Sequence, residues 1–190
     1  MQKEWRAGFA GIKPDIVSFT SVIVAWSRSK DAVAPERAEA LFREMQESGD
    51  GNLQPNPLTY NALMSTFSRH NRPFKVQTIF DAMETRYKAG DSSARPSFPA
   101  YTTLLKAWAK AAEPERAAAV LADMVHKFEK GDLDRKPDSR SFNTVLQAWC
   151  RSTRPDAAYK AEEGLASMHS LAVSGRFNVR PDLFTYSCVI

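Results

Sequence analysis

Cysteine is scarce in this chain: the 190 residues contain only Cys150 and Cys188, and no Cys-x-x-Cys pair. Two cysteines cannot form the disulfide framework of a small secreted domain, so a reducing compartment is the easier interpretation. No run of 18 apolar residues occurs, so the sequence predicts no membrane-spanning helix and no membrane partner. The first residues lack a signal peptide. We expect the sequence to be a piece of a longer protein, because it stops at Ile190 inside an unfinished helical pattern.

The motifs of common enzyme sites are also missing. His70, His126 and His169 are isolated from one another, and no zinc-binding spacing is present. There is no P-loop, no G-x-G-x-x-G and no nucleophile elbow. We therefore expect no metal, no cofactor, no small-molecule substrate and no catalytic residue, and we predict that these residues do not form an enzyme.

The overall composition is that of a globular chain. Hydrophobic residues make up 43% and charged residues 25%, which is enough to bury a core. The formal net charge of +4 is mildly basic. Such a charge is compatible with a nucleic-acid partner but is also common in proteins that bind none.

A motif of eight residues recurs along the chain. Its first copy reads Lys13-Pro14-Asp15-Ile16-Val17-Ser18-Phe19-Thr20, and its prolines lie 41, 41, 41 and 44 residues apart. A fixed period of this size predicts a stacked array, which usually offers an extended binding surface rather than an enclosed pocket. The predicted units are the tail of an earlier repeat at 1–12, four repeats at 13–53, 54–94, 95–135 and 136–179, and the start of a fifth at 180–190.

Each repeat contains two helical patterns. The first follows a proline and a residue suited to cap a helix N-terminus, which we call the cap position. The second begins at or near Pro35, Pro73, Pro114 or Pro155. Antiparallel helical hairpins of this kind predict an all-α fold, an α-solenoid similar to tetratricopeptide arrays with a right-handed superhelix. The cap positions are Asp15, Asn56, Ser97, Asp138 and Asp182.

The first helix of each repeat has an apolar side and a polar side. Trp26, Trp108 and Trp149 fall on the apolar side, where packing in the core is favoured over stacking on a base. The polar side begins at the residue after the aromatic, which we call the key position, and we expect the key positions to lie side by side facing solvent. The key positions are Thr20, Asn61, Thr102, Asn143 and Ser187.

The polar side ends in a basic residue in each of the four repeats. These residues recur in register while the connecting loops vary, so they predict either a stripe that attracts phosphates or an ordinary solvated face. The predicted phosphate-binding residues are Arg28, Arg69, Lys106, Lys110 and Arg151.

The combined pattern resembles the pentatricopeptide repeat family, whose helical hairpins bind RNA, in its P-type form. The residues that carry the resemblance are Pro14-Asp15, Ser18-Phe19-Thr20, Ala25-Trp26 and Ala40-Leu41-Phe42-Arg43-Glu44-Met45, together with their counterparts in the later repeats. The resemblance covers about residues 13–190, although the repeats here are longer than is usual in the family. It implies single-stranded RNA as the partner, read at one base per repeat.

The resemblance also implies which residues read the bases. In the family, the key position of one repeat and the cap position of the next share a base edge. Thr20 with Asn56 then implies A, Asn61 with Ser97 implies C or U, Thr102 with Asp138 implies G, and Asn143 with Asp182 implies U. The implied target is 5′-A-C/U-G-U-3′, with Ser187 belonging to a further base. The residues that would clamp the bases are Val17, Leu58, Pro99, Arg140 and Phe184.

The family usually controls organellar transcripts through stability, processing, editing or translation, so the resemblance implies a mitochondrial or plastid location. Two other functions remain open. One is a protein-binding scaffold of the tetratricopeptide type. The other is the recognition arm of a larger RNA-processing enzyme, with a catalytic domain beyond Ile190. The cap positions are also fully explained as helix caps.

Overall fold

The computed structural model describes residues 14–175, 177 and 179–189, and within these residues the chain forms α-helices and no strand. This confirms the predicted all-α class. The predicted tail at 1–12 lies outside the described residues, as do Lys13 and Ile190. The helices are α1 (Ile16–Arg28), α2 (Ala34–Glu47), α3 (Pro57–Arg69), α4 (Pro73–Lys88), α5 (Phe98–Lys110), α6 (Pro114–Glu129), α7 (Ser139–Cys150), α8 (Ala157–Val173) and α9 (Leu183–Val189).

The odd-numbered helices are the predicted first helices, and most begin as the sequence predicts. The Asp15 side chain accepts a hydrogen bond from the backbone N–H of Ser18. Asn56 and Asp138 do the same for Thr59 and Ser141. Asp182 also caps its helix, through the N–H of Thr185. Ser97 was expected to cap as well, and this was wrong, because its side chain makes no capping bond although its backbone has the extended conformation of an N-cap.

The even-numbered helices are the predicted second helices. Helix α2 carries Pro35 in its first turn, α4 begins at Pro73 and α6 begins at Pro114. Helix α8 begins two residues after Pro155, with Asp156 at its N-cap. Each second helix is followed by a glycine with positive φ, a conformation that ends helices and that other residues adopt at a cost. These glycines are Gly49, Gly90, Gly131 and Gly175.

The hairpins stack into the predicted solenoid. Each first helix packs against the second helix of its own repeat and against the first helix of the next repeat. The second helices pack mainly into the grooves between successive first helices. This arrangement brings the first helices together in one layer, so their N-terminal turns lie beside one another along one side of the stack.

One continuous core runs through the stack. Its largest fully buried side chains include Trp108, Tyr60, Tyr101 and Phe67. Trp149 is also buried, and Trp26 is half-buried against the same core. The prediction that the tryptophans pack in the core is therefore confirmed.

Ion pairs between second helices add contacts from repeat to repeat. Arg72 lies 2.7 Å from Glu36, and Lys75 lies 2.8 Å from Glu39. The pairs Lys127–Glu84 and Arg154–Glu115 link the later repeats in the same way. The second helices α2, α4 and α6 are thus joined in order by ion pairs, and Arg154, which precedes α8, adds a pair between the third and fourth repeats.

Candidate nucleic-acid interface

The predicted clamp residues are exposed on the first turns of the first helices. Val17 and Leu58 are 65% and 59% exposed, and Phe184 is 48% exposed. Pro99 and Arg140 are exposed as well. Large apolar side chains repeated in register on a solvent-facing edge are typical of a binding surface rather than of a solvated helix face.

The key positions occupy the interfaces between repeats, but they are less open than expected. Thr20 is 5% exposed and Asn143 is 8% exposed, so the expectation that they face open solvent was wrong for these two. Asn61 and Thr102 are half-buried, whereas Ser187 is exposed and donates to the carbonyl oxygen of Phe184 at 2.8 Å. These key positions are buried because the next repeat packs over the polar side of the first helix that precedes it.

Key and cap positions come together across the repeat interfaces. The Asn61 amide donates to Ser97 Oγ at 3.3 Å, and the Asn143 amide donates to Asp182 Oδ1 at 3.5 Å. Thr20 lines a cavity with Asn56. Residues that are almost 40 positions apart are thus neighbours across these interfaces, and their role in reading a base stays a prediction.

A third residue, which the sequence analysis missed, bonds the cap residue in most repeats and at two interfaces also reaches the key position of the preceding repeat. It lies three residues after the cap position and carries a hydroxyl group. Thr59 donates its backbone N–H and its Oγ1 to Asn56 Oδ1, at 2.9 and 3.0 Å, and shares a 2.8 Å hydrogen bond with Thr20. We call this residue the relay hydroxyl. The relay hydroxyls belong to Ser18, Thr59, Ser141 and Thr185.

The fifth repeat shows the fullest version of this arrangement. Thr185 donates its N–H and its hydroxyl to Asp182, and the same hydroxyl lies 2.8 Å from Asn143 Oδ1. The hydrogen bonds from the backbone and hydroxyl of Thr185 lower the pKa of Asp182 below its ordinary value. Asp182 is therefore ionised at neutral pH and acts only as an acceptor.

The third repeat has no relay hydroxyl, because Ala100 stands at that position. Asn61 of the preceding repeat reaches Ser97 directly, and its own Oδ1 is buried without a hydrogen-bond partner. In this repeat, therefore, the relay hydroxyl is absent and Ser97 bonds Asn61 across the interface and does not cap its own helix. The sequence already shows this difference in the third repeat, because a Ser or Thr precedes the aromatic residue in every copy of the motif except this one.

Two cavities open between clamp residues of successive repeats. One, of about 380 Å³, lies between the first and second repeats and is lined by Val17, Thr20, Asn56 and Leu58 among others. The other, of about 270 Å³, lies between the third and fourth repeats. Its lining includes Pro99, Thr102, Asp138 and Arg140. Each cavity thus contains two clamp residues, one key position and one cap position, which are the four residue types expected around one base.

The second cavity is surrounded by positive charge. Lys106, Arg135 and Arg140 line it, together with the single carboxylate of Asp138. The Arg135 guanidinium lies 4.6 Å from the centre of the Phe98 ring, a cation–π contact that holds it at the rim. Basic side chains beside a narrow cavity suit a ligand that carries both a ring and a phosphate.

The basic residues at the ends of the first helices are all exposed. Lys110 Nζ donates to the carbonyl oxygen of Arg69 at 3.0 Å, so these two residues are neighbours across a repeat interface. Phosphate binding by Arg28, Arg69, Lys106, Lys110 and Arg151 stays a prediction.

The described residues form neither of two other kinds of site. No cluster of three or more histidine, cysteine, aspartate or glutamate side chains there has the arrangement of a metal site. None of the helices in that part of the chain combines the length and apolarity needed to cross a bilayer.

Comparison with solved structures supports the fold. The chain is similar to the pentatricopeptide repeat protein PPR10 from maize, with a TM-score of 0.76 and 21% identity over 99% of the chain. It is also similar to PPR10 in complex with an 18-nt psaJ RNA element, with a TM-score of 0.64 and 20% identity over 99% of the chain. The nuclear proteinaceous RNase P 2 (PRORP2) from A. thaliana matches with a TM-score of 0.69 and 14% identity over 99% of the chain.

The chain spans only part of these proteins, 23% of each PPR10 chain and 36% of PRORP2. No curated protein sequence matches it significantly. A family model does match: the long pentatricopeptide repeat family, described as the pentacotripeptide-repeat region of PRORP, covers residues 27–174. The repeated motif, the stacked hairpins and this match, which covers well over half of the sequence, place the chain in the long pentatricopeptide repeat family.

Proposed function

We propose that this chain binds single-stranded RNA along the edge formed by the N-terminal turns of its first helices. The proposal rests on the residues that line the two cavities. Each cavity lies between exposed clamp residues of neighbouring repeats and has a key position and a cap position in its lining. Exposed clamp side chains with a few polar groups between them suit an unstacked base, which single-stranded RNA provides.

The size of the cavities fits the same ligand. Volumes of about 270 and 380 Å³ lie at the lower end of those found for small-molecule sites. They are suited to one planar ring system each, not to a large cofactor. PPR10, which shares the fold, has been crystallised with an 18-nt RNA element.

We further propose one base per repeat, with the target 5′-A-C/U-G-U-3′. The assignment rests on the four pairs formed by a key position and the next cap position. Base contacts would supply the sequence preference, and the exposed basic residues would hold the phosphates without sequence preference. Four repeats give few stacking contacts, each worth about 1–3 kcal/mol. Binding by these repeats alone should therefore be weak and strongly dependent on salt.

A second candidate function is the recognition arm of an RNA-processing enzyme. It is favoured by the family description, which refers to the repeat region of PRORP, and by the likeness to PRORP2. Under this proposal the repeats hold the RNA while another part of a longer protein cleaves it. The test is cleavage of a bound RNA by the full-length protein, compared with the 190 residues alone.

The location is a separate proposal. We propose an organelle, as is usual in the pentatricopeptide repeat family, whereas PRORP2 is described as nuclear. A fluorescent fusion of the full-length protein would decide between mitochondrion, plastid and nucleus.

RNA binding itself is tested by selection from a random single-stranded RNA pool, with single-stranded DNA and duplex RNA as competitors. The proposal expects enriched sequences that contain the predicted tetranucleotide. Capture of no RNA at low salt would reject the proposal, and a protein-binding scaffold would then be the better interpretation.

A further inference from the structure

The cavities at the first and third repeat interfaces differ in charge. Lys106, Arg135 and Arg140 line the cavity between the third and fourth repeats, beside the carboxylate of Asp138. Three cations and one carboxylate give this lining a formal charge of +2. The cavity between the first and second repeats is lined by apolar and uncharged polar side chains alone. The same kind of site is therefore basic at one interface and neutral at the other.

Lys106 stands where the other repeats have an uncharged residue. It is exposed, and it lies four residues after the key position of α5. The residues at this position in the first, second and fourth repeats are Val24, Ser65 and Gln147. A lysine is thus not part of the repeated pattern at this position, and it lines the cavity of its own interface.

Arg140 differs from its counterparts in the same way. It is exposed in the first turn of α7 and occupies the clamp position of the fourth repeat. A guanidinium can stack on a planar base and can also donate to phosphate oxygens. The clamp residues of the other repeats are Val17, Leu58, Pro99 and Phe184.

Arg135 stands where other connections have a buried apolar residue. It lies three residues before the cap position, in the connection between α6 and α7. Leu133 is buried in this connection instead, and Arg135 is exposed with its guanidinium against the Phe98 ring. The residues three positions before the second, third and fifth caps are Leu53, Ala94 and Val179, all of them buried.

Three departures from the repeated pattern thus meet at one interface. They come from different elements: Lys106 from α5, Arg135 from a connection and Arg140 from α7. Among the described residues, no carboxylate lies within ion-pair distance of any of the three. Their charge is therefore only partly offset by Asp138, and like charges around one cavity attract an anion.

We infer that the third interface binds its base together with the two phosphodiesters that flank this base, whereas the first interface binds its base through uncharged contacts. Each phosphodiester carries one negative charge, so the two together match the +2 of the cavity lining. The dependence of RNA affinity on backbone charge is thus concentrated around the third base. This inference rests on the proposed function, because it concerns the same sites.

The experiment uses the 190-residue chain and a labelled RNA that contains the enriched tetranucleotide between unstructured flanks. In each member of a series, one phosphodiester is replaced by an uncharged methylphosphonate, and the dissociation constant is measured by fluorescence anisotropy at low salt. Replacing either linkage that flanks the third base should weaken binding about three- to tenfold more than replacing either linkage that flanks the first. Similar losses at all linkages, or a largest loss elsewhere, would overturn the inference.

A double variant tests whether the cavity cations cause the effect. Lys106→Gln and Arg140→Leu copy the residues that the fourth and second repeats have at these positions. The slope of log K against log salt should fall by roughly 1.4, since each phosphate contact on a single strand contributes about 0.7. The extra loss around the third base should disappear as well. If that loss persists in the double variant, other residues hold these phosphates and the inference is wrong.

The matched control also removes two positive charges. Arg43→Gln and Lys130→Gln change exposed residues of the second helices, away from both cavities. This control should keep the extra loss around the third base. Disappearance of the loss in the control would show that net charge, and not the cavity, determines the pattern.

A reciprocal variant tests the first interface. Leu58 is 59% exposed and holds the clamp position that Arg140 holds in the fourth repeat. Leu58→Arg should add a loss of affinity when a linkage that flanks the first base is made uncharged. Absence of this added loss would contradict the assignment of Arg140 to the RNA backbone.

The failures of the two proposals can be told apart. Absence of RNA binding by the wild-type chain rejects the proposed function. RNA binding with an equal loss at every linkage keeps the proposed function and rejects only the inference about the third interface. Circular dichroism and urea unfolding establish whether each variant folds, and the wild-type series decides the inference even if one variant does not.

Discussion

The hydroxyl oxygens of Thr20 and Thr59 lie 2.8 Å apart in the interior of the first repeat interface, although the residues belong to successive repeats. Thr59 is fully buried, and it also donates to Asn56 at the start of its own helix. One hydroxyl thus connects the key position of one repeat to the cap position of the next. Helix capping, repeat stacking and the geometry of the candidate base site therefore depend on the same side chain.

The first prediction concerns this connection. Thr59→Val keeps the shape of the side chain and removes its hydroxyl, so Thr20 and Asn56 each lose a partner in a buried setting. We expect the free energy of unfolding to fall by about 1–3 kcal/mol. Urea unfolding followed by circular dichroism measures the change.

A matched control is Thr78→Val, because Thr78 is exposed and its hydroxyl bonds only within its own helix, to the Phe74 carbonyl. That change should alter stability by less than about 0.5 kcal/mol. Equal losses in the two variants would mean that the general effect of replacing Thr by Val in a helix, and not the loss of the buried hydroxyl, determines the change.

The second prediction concerns Ala100, which replaces the relay hydroxyl in the third repeat. Ala100→Ser places a hydroxyl at the position from which Thr185 reaches Asn143 Oδ1 in the fifth repeat. The corresponding oxygen here, Asn61 Oδ1, is buried without a partner. We expect a gain of about 1 kcal/mol in the free energy of unfolding, since a new hydrogen bond would satisfy a buried acceptor.

The gain should depend on Asn61. In an Asn61→Ala background the new hydroxyl has no acceptor to satisfy, so Ala100→Ser should then be neutral or destabilising. A double-mutant cycle measures this dependence. If the same gain appears in both backgrounds, it comes from helix capping and not from the contact across the interface.

The fold could be predicted from the sequence because it follows from local and repeated signals. Capping by Asp15, Asn56 and Asp138 needs only a side-chain oxygen and a backbone N–H three residues away. The period of the motif then implied the stack. Ser97 was predicted wrongly because its hydroxyl bonds Asn61 of the preceding repeat, a partner 36 positions away that no local rule identifies.

The candidate site could be predicted only in part. The pairing of key and cap positions came from the family resemblance, and the structure does bring Asn61 to Ser97 and Asn143 to Asp182. The burial of Thr20 and Asn143 could not be predicted, because it depends on how closely the next repeat packs.

The third prediction concerns the basic residues at the ends of the first helices. Lys110→Ala should weaken the binding of all RNA sequences to a similar extent, and it should reduce the slope of log K against log salt by roughly one. Titrations at several salt concentrations measure both effects. Lys130→Ala is the control, because Lys130 is an exposed lysine at the end of a second helix. A change in which sequences bind best would show that Lys110 contacts bases.

The fourth prediction concerns the ion pair between Glu84 and Lys127, which joins the second and third repeats. Burial raises the pKa of Glu84, but the hydrogen bond and charge of Lys127 outweigh this effect, so that the pKa lies below its ordinary value of 4.5. A carboxyl group whose pKa is lowered by folding stabilises the folded state above its unfolded pKa. This contribution disappears as the pH falls through the lower folded pKa.

Glu84→Gln should therefore destabilise the protein at neutral pH, by less than about 1 kcal/mol because the pair is partly exposed to solvent. The difference between variant and wild type should shrink as the pH falls below 4.5. Thermal unfolding between pH 7 and about pH 3 measures this convergence, with Glu47→Gln as an exposed control at the end of α2. A difference that stays constant over this range would show that the Gln side chain packs poorly and that the charge of Glu84 contributes nothing to stability.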